Sequence, residues 1–196
     1  MPKRAAISHN IAEDLAVVGS GLLKMFDKGE NAIMLPYRSI LFVCDANTCR
    51  SPMAEAMLKK MLSGFEGVAR EVKVCSAGVA PSARDDSDVT FDVRFLLKEE
   101  GIDVEGMRSK DLKRHRELLE EADLVLTMSQ EQKRRVHQFP EADGKGIYTL
   151  KEFVGEAGDI VDPFGRGDSA YVQCKDEIKR CLGKLITRLL PDTSQQ

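Results

Sequence analysis

Short apolar runs that alternate with stretches of helical spacing constrain this chain more than any other feature of it. Ile40-Leu41-Phe42-Val43 is unbroken by a polar residue, which suits a strand buried on both faces of a sheet. Similar runs fall at 72–79, at Leu124-Val125-Leu126-Thr127-Met128 and at Ile147-Tyr148-Thr149-Leu150. Other segments show the three- and four-residue steps of a helix face. These are 51–65, 89–100 with Gly101 as its stop, 112–122, 130–139 and a long final helix over 169–190. Strands alternating with helices predict an α/β fold, a parallel sheet covered on both faces. At 196 residues the chain has room for one domain of this kind.

Residues 1–38 read differently and form an N-terminal extension to a domain at 39–190, with 191–196 as a tail. Ile11, Leu15, Val18, Leu22 and Met25 with Phe26 share one helix face, between Asn10 as cap and Asp27-Lys28-Gly29 as stop. Gly19-Ser20-Gly21 interrupts it. Two readings stay open: an amphipathic helix packed on its own domain, and a helix for docking or self-association. Lys plus Arg number 29 against 32 Asp plus Glu, a net charge of −3 that argues against non-specific nucleic-acid binding. No apolar run approaches the roughly 18 residues needed to span a membrane. Five cysteines, an odd number without a secretory apolar core ahead of them, argue against a disulfide framework and for the reducing cytoplasm.

The chemistry gathers in Val43-Cys44-Asp45-Ala46-Asn47-Thr48-Cys49-Arg50-Ser51-Pro52, where the first strand gives way to the first helix. Ligands of open α/β sheets bind beyond the carboxyl ends of strands. Ser51 and Pro52 suit an N-cap and first turn, so a helix N-terminus with unpaired amides faces the loop and favours an anion. Arg50 adds a planar fork for two phosphate oxygens. A cysteine at Cys44 sits where that field favours a thiolate nucleophile. Arg50 and the loop amides would then stabilise the charge of an in-line phosphoryl displacement, with no metal or other cofactor. The second informative segment is Asp162-Pro163-Phe164-Gly165. Asp162 is a candidate general acid for the leaving group and then general base for water, and Phe164 a pocket wall. Cys44 and Cys49 could instead ligate a structural metal, but no second Cys or His pair stands at a matching spacing. His9, His115 and His137 read as solvated, Cys75, Cys174 and Cys181 as core or surface thiols, and the charged stretch 110–121 as a solvated helix face.

Val-Cys-x5-Arg-Ser-Pro, Ser76-Ala77-Gly78, Ala122-Asp123-Leu124-Val125-Leu126 and Asp162-Pro163-Phe164-Gly165 together resemble the low-molecular-weight protein tyrosine phosphatase family over about residues 39 to 190. The resemblance implies a four-stranded parallel sheet flanked by helices on both faces, with a phosphate-binding loop after the first strand. It implies Cys44 as nucleophile, Arg50 as phosphate ligand and Asp162 as general acid. Asn47 and Ser51 would hold the loop's shape, with the Ser51 hydroxyl supporting the thiolate. Asp45, Ala46, Asn47, Thr48, Cys49, Ser51 and Phe164 would border the substrate, a phosphorylated protein. Within the family the chain looks closest to the bacterial protein arginine phosphatases, which implies phosphoarginine as the substrate group, with a phosphotyrosine-specific phosphatase as the alternative. Thr48 replaces the aliphatic residue usual in tyrosine phosphatases, and a hydroxyl there can bond a phosphoguanidine nitrogen that an Ile would crowd. Phe164 replaces one of the paired tyrosines of the eukaryotic tyrosine phosphatases, and 148–153 resembles the same bacterial branch. Cys49 resembles the family's second loop cysteine, which can trap an oxidised nucleophile as a disulfide.

Three departures accompany the resemblance. Ala46 stands where the family has Gly, which predicts strain if that position needs φ > 0. Asp45 places a carboxylate at the rim, expected to attract a cationic substrate group. Met107 stands where many members carry a His that braces the loop. Two other functions share parts of the pattern. An arsenate reductase would need two further cysteines after the second strand, and 80–123 contains none. A weakly catalytic phosphate-binding module remains as the alternative of another class.

Overall fold

The computed structural model describes residues 36–64 and 72–189. The expected extension helix, His9 and the tail lie outside the described residues. Four strands, β1 (Ser39–Cys44), β2 (Lys73–Gly78), β3 (Leu124–Thr127) and β4 (Gly146–Thr149), form one parallel sheet in the order β2-β1-β3-β4. The helices are α1 (Arg50–Leu62), α2 (Phe91–Glu99), α3 (Glu117–Glu121), α4 (Gln130–Val136), α5 (Leu150–Phe153) and α6 (Asp168–Leu189). This is the four-stranded parallel sheet that the apolar runs and the resemblance imply.

Because β1 is central, both its faces need cover, which is why its sequence does not alternate. Leu41 and Val43 join Val125, Ile147, Leu119 and Val136 in one core cluster. Their neighbours Ile40 and Phe42, also fully buried, point to the opposite side by the two-residue period of a strand. There α1 packs on β1 and β2, and α6 packs on α1. The strand order puts the neighbours of β1 on either side of it, with its connections leaving in opposite directions. That is the switch point where an open sheet leaves a crevice beyond its carboxyl edge.

Two expected elements differ. The helix expected over 112–122 is confined to Glu117–Glu121, and the charged stretch is therefore not one helix face. The Leu112 amide donates to the Gly78 carbonyl, and the Gly78 amide to the Lys110 carbonyl, so this backbone extends the β2 ladder. Asp111 and Leu112 are buried rather than solvated, and His115 is half-buried between Asp85 and Glu117. The fourth strand ends at Thr149, because Thr149 and Glu152 form a reciprocal capping box that opens α5 one residue earlier than the apolar run suggests.

The stretch after α5 is held to α6 by charge. Glu156 accepts from Arg180 and, at 2.8 Å, from Lys184. These hydrogen bonds pull its carboxyl from 4.5 down to about 2. A carboxylate lowered in this way stabilises the fold above its unfolded value, and that contribution fades as the pH falls through its folded value. Glu156→Gln should therefore unfold at lower temperature than the native chain at neutral pH. The gap should narrow as the pH drops below 4.5 toward about 2. A gap constant across the acid range in thermal scans would show that the Glu156 charge is not its cause.

Candidate active site

The loop from Asp45 to Cys49 turns out of β1 and into α1 over the carboxyl edge of the sheet. Its turn is made at Asn47, whose φ is +59°, a conformation that Asn adopts more readily than most residues. Ala46 is not at positive φ, so the strain expected there does not arise. The Asn47 side chain is buried and fully used. Its Nδ2 donates to Ser51 Oγ at 2.9 Å and Ser76 Oγ at 2.8 Å, and its Oδ1 accepts from the Lys110 amide at 2.9 Å. This does the bracing for which a His at the position of Met107 would be expected. The Met107 amide donates to the Val104 carbonyl at 3.1 Å, and the next residue, Arg108, pairs with Asp88 ahead of α2.

Cys44 ends β1, 2 % exposed. Its Sγ accepts from Ser51 Oγ at 3.0 Å and from the Asn47 amide at 3.3 Å. Ser51 is not the N-cap. The helix starts at Arg50, capped by Cys49, and the Ser51 hydroxyl inside the first turn serves the sulfur instead. Ser51 accepts from Asn47 and offers its own hydrogen to Cys44 at 3.0 Å, with the Ala77 carbonyl a longer second acceptor at 3.4 Å. The amides of Ala46, Thr48 and Cys49 meet no acceptor among the described residues, the open cradle an oxyanion needs. Thr48 is half-buried, its carbonyl held by the Thr90 amide at 2.9 Å, and its hydroxyl has no partner among the described residues.

Arg50 is 4 % exposed and reaches three groups. Nη1 donates to the Ile160 carbonyl at 3.1 Å, and Nη2 is shared between Asp45 Oδ2 at 2.7 Å and Asp162 Oδ2 at 2.5 Å. Burial opposes its charge, but Cys44, Asp162 and Asp45 outweigh burial and the guanidinium titrates above its usual range. Asp162 is thereby brought to the loop from far along the chain, and its Oδ1 accepts from the Phe164 amide at 3.1 Å. Phe164 stands out at the rim, 77 % exposed. The Asp45 carboxylate, 40% exposed, already has partners within the protein: the guanidinium groups of Arg50 and Arg135 and the side-chain amide of Gln132.

The other loop thiol is Cys49. Burial, with Cys174 and Cys44 adding to it, pushes Cys49 far above the ordinary thiol range. Burial likewise holds Cys174 up at about 12 and Cys181 at about 11. Reading the sequence missed Glu55, Ser76, Gln132 and Arg135. Glu55 Oε2 accepts from Ser76 Oγ at 2.5 Å, which links α1 to Asn47 through Ser76. A lone carboxylate among Met53, Ala54, Met57 and Leu58 was the signal for it.

A thiol with two donors on its sulfur, a buried arginine six residues on and unpaired amides at a helix N-terminus define a cysteine-dependent phosphatase. A family model described as low molecular weight phosphotyrosine protein phosphatase matches residues 39–195, and the chain belongs to that family. It is 43% identical over 158 residues to a protein-arginine-phosphatase of Geobacillus stearothermophilus, covering 79% of this chain and 97% of the relative. The crystal structure of a low molecular weight protein tyrosine phosphatase from T. tengcongensis superposes with a TM-score of 0.68 at 39% identity, over 77% of this chain and 99% of that one. So does a YwlE arginine phosphatase whose active-site cysteine is replaced by a phosphorylated serine, with a TM-score of 0.68 at 38% identity, over 81% and 99%. A phosphoryl group on that residue is what a cysteinyl-phosphate mechanism requires, and that mechanism is the family's.

Two outcomes test the site. A Cβ on Gly78 would lie 2.8 Å from the Asp45 carbonyl oxygen and 2.9 Å from the Ala46 carbonyl carbon, so the loop must shift. Gly78→Ala should lower kcat/KM on an aryl phosphate about tenfold to a hundredfold. An unchanged value would mean the loop tolerates displacement. In limited alkylation mapped by mass spectrometry, inorganic phosphate should protect Cys44, while Cys49, Cys174 and Cys181 stay unlabelled with or without it.

Proposed function

We propose that the chain hydrolyses phosphoarginine in proteins in preference to phosphotyrosine. The observation that carries this is Thr48, a hydroxyl at the middle of the phosphate loop with no protein partner among the described residues. A phosphoguanidine offers nitrogens to such a hydroxyl, whereas an aryl ester offers only its bridging oxygen. The 43% identity to a protein-arginine-phosphatase supports the same reading.

In the reaction the Cys44 thiolate attacks phosphorus in line, forming an S–P bond as the P–N bond to the guanidine breaks. Arg50 leaves its carboxylates for two phosphate oxygens, and the loop amides take the third. Asp162, released from Arg50, takes up the proton that Cys44 gives up on becoming a thiolate and passes it to the departing nitrogen. It then takes a proton from water, whose oxygen attacks phosphorus. The S–P bond breaks, inorganic phosphate leaves and the thiolate returns. The chemistry needs a reduced Cys44, which supports a place in the cytoplasm. Among the described residues no helix is long and apolar enough to cross a membrane.

The test is kcat/KM on phosphoarginine and phosphotyrosine peptides side by side, with Cys44→Ser as the blank. Phosphoarginine should be preferred, and Thr48→Ile should move the preference toward phosphotyrosine. A native preference for phosphotyrosine overturns the reading. Asp162→Ala should lower kcat on phosphoarginine about a hundredfold or more. The loss should be smaller on an aryl phosphate whose phenol leaves without a proton.

A further inference from the structure

Arg50 is drawn to two carboxylates, and a bound phosphate must win it from both. One of them, Asp45, directly follows the nucleophile and carries a negative charge to the edge of an anion site. At such range two like charges repel by an amount that decides affinity, unless one of them is compensated. Compensation comes from α4. Gln132 Nε2 donates to Asp45 Oδ2 at 2.8 Å, the same oxygen that Arg50 holds. Arg135 Nη1 approaches Asp45 Oδ1 at 3.3 Å. Gln132 is fully buried and cannot swing away, because its Oε1 accepts from the amides of Met128 at 2.9 Å and Ser129 at 3.1 Å. Arg135 is steadied from the other side by Glu131, which accepts from its Nε at 3.1 Å.

We propose that Arg135, together with Gln132, positions Asp45 so that Arg50 can pass to the substrate phosphate. When Arg50 turns its fork onto phosphate, Asp45 loses its strongest partner. Gln132 and Arg135 keep the carboxylate bonded and neutralised beside the incoming dianion. Without Arg135, Asp45 holds Arg50 more tightly and faces phosphate with its charge uncompensated. Both effects weaken phosphate binding through Asp45 alone. The inference rests on the phosphatase reading of the site but not on which phosphorylated residue is the substrate.

The experiment is a double-mutant cycle on Arg135 and Asp45, read as the inhibition constant of inorganic phosphate against an aryl phosphate. Arg135→Ala should raise that constant, and KM, about fivefold, the size of a partly exposed charge pair, with a smaller change in kcat. Arg135→Lys should recover most of the loss, since charge and not fork geometry carries the effect. In the Asp45→Asn background Arg135→Ala should no longer change the constant. No effect of Arg135→Ala, an equal effect in both backgrounds, or no recovery with Lys would each overturn the proposal. The same cycle measured as calorimetric binding of inorganic phosphate to the Cys44→Ser protein separates it from catalysis. A chain that hydrolyses no phosphoester would sink the proposed function while leaving this cycle readable.

Discussion

The site rests on one side-chain amide. A loop that binds an anion through its backbone must keep its N–H groups unpaired, and such a loop has little of its own to hold it in shape. Asn47 resolves that conflict by supplying the missing bonds from its side chain. It ties the loop to the first turn of α1 through Ser51, to β2 through Ser76 and to the segment that extends β2 through the Lys110 amide. Its left-handed backbone aims its own amide at Cys44 Sγ. The buried pair of Ser76 and Glu55 fixes the far end of this network, so that the geometry at the sulfur is set from within the core.

Charge in the site is arranged by burial as much as by sequence neighbours. Arg50 is nearly inaccessible yet pairs with two carboxylates that are each about two-fifths exposed, at 40% and 44%. A buried guanidinium is costly unless it is paired, and a half-exposed carboxylate gives up a partner more readily than a buried one does. The thiols divide along the same line. Burial pushes the Cys49, Cys174 and Cys181 thiols up. Cys44 is just as buried, but it alone has hydrogen-bond donors converging on its sulfur from the loop and the helix start.

The sheet was readable from the sequence because central parallel strands need unbroken apolar runs, and Ile40 to Val43 can serve little else. Cys44 and Arg50 could be read together because both lie on one short loop. Residues 112–116 misled because their composition suits a helix, while the Leu112 amide is already committed to Gly78. Ser51 before Pro52 resembles a cap, but a sulfur one turn away is a stronger claim on its hydroxyl. The partners of Asp45 could not be read at all. Gln132 and Arg135 lie 87 and 90 residues away along the chain, and no local periodicity encodes which helix start will face which loop.

One backbone pair has a consequence for how such an enzyme chooses its substrates. Ile160 donates its amide to the Met128 carbonyl at the end of β3 and offers its carbonyl to Arg50. The segment bearing Asp162 is therefore hooked to the sheet and to Arg50 at once. Asp162 thus stands beside the loop in a segment tied at two points. A segment held in this way keeps a fixed contour next to the loop, and the reading proposed for Thr48 and Phe164 depends on that contour.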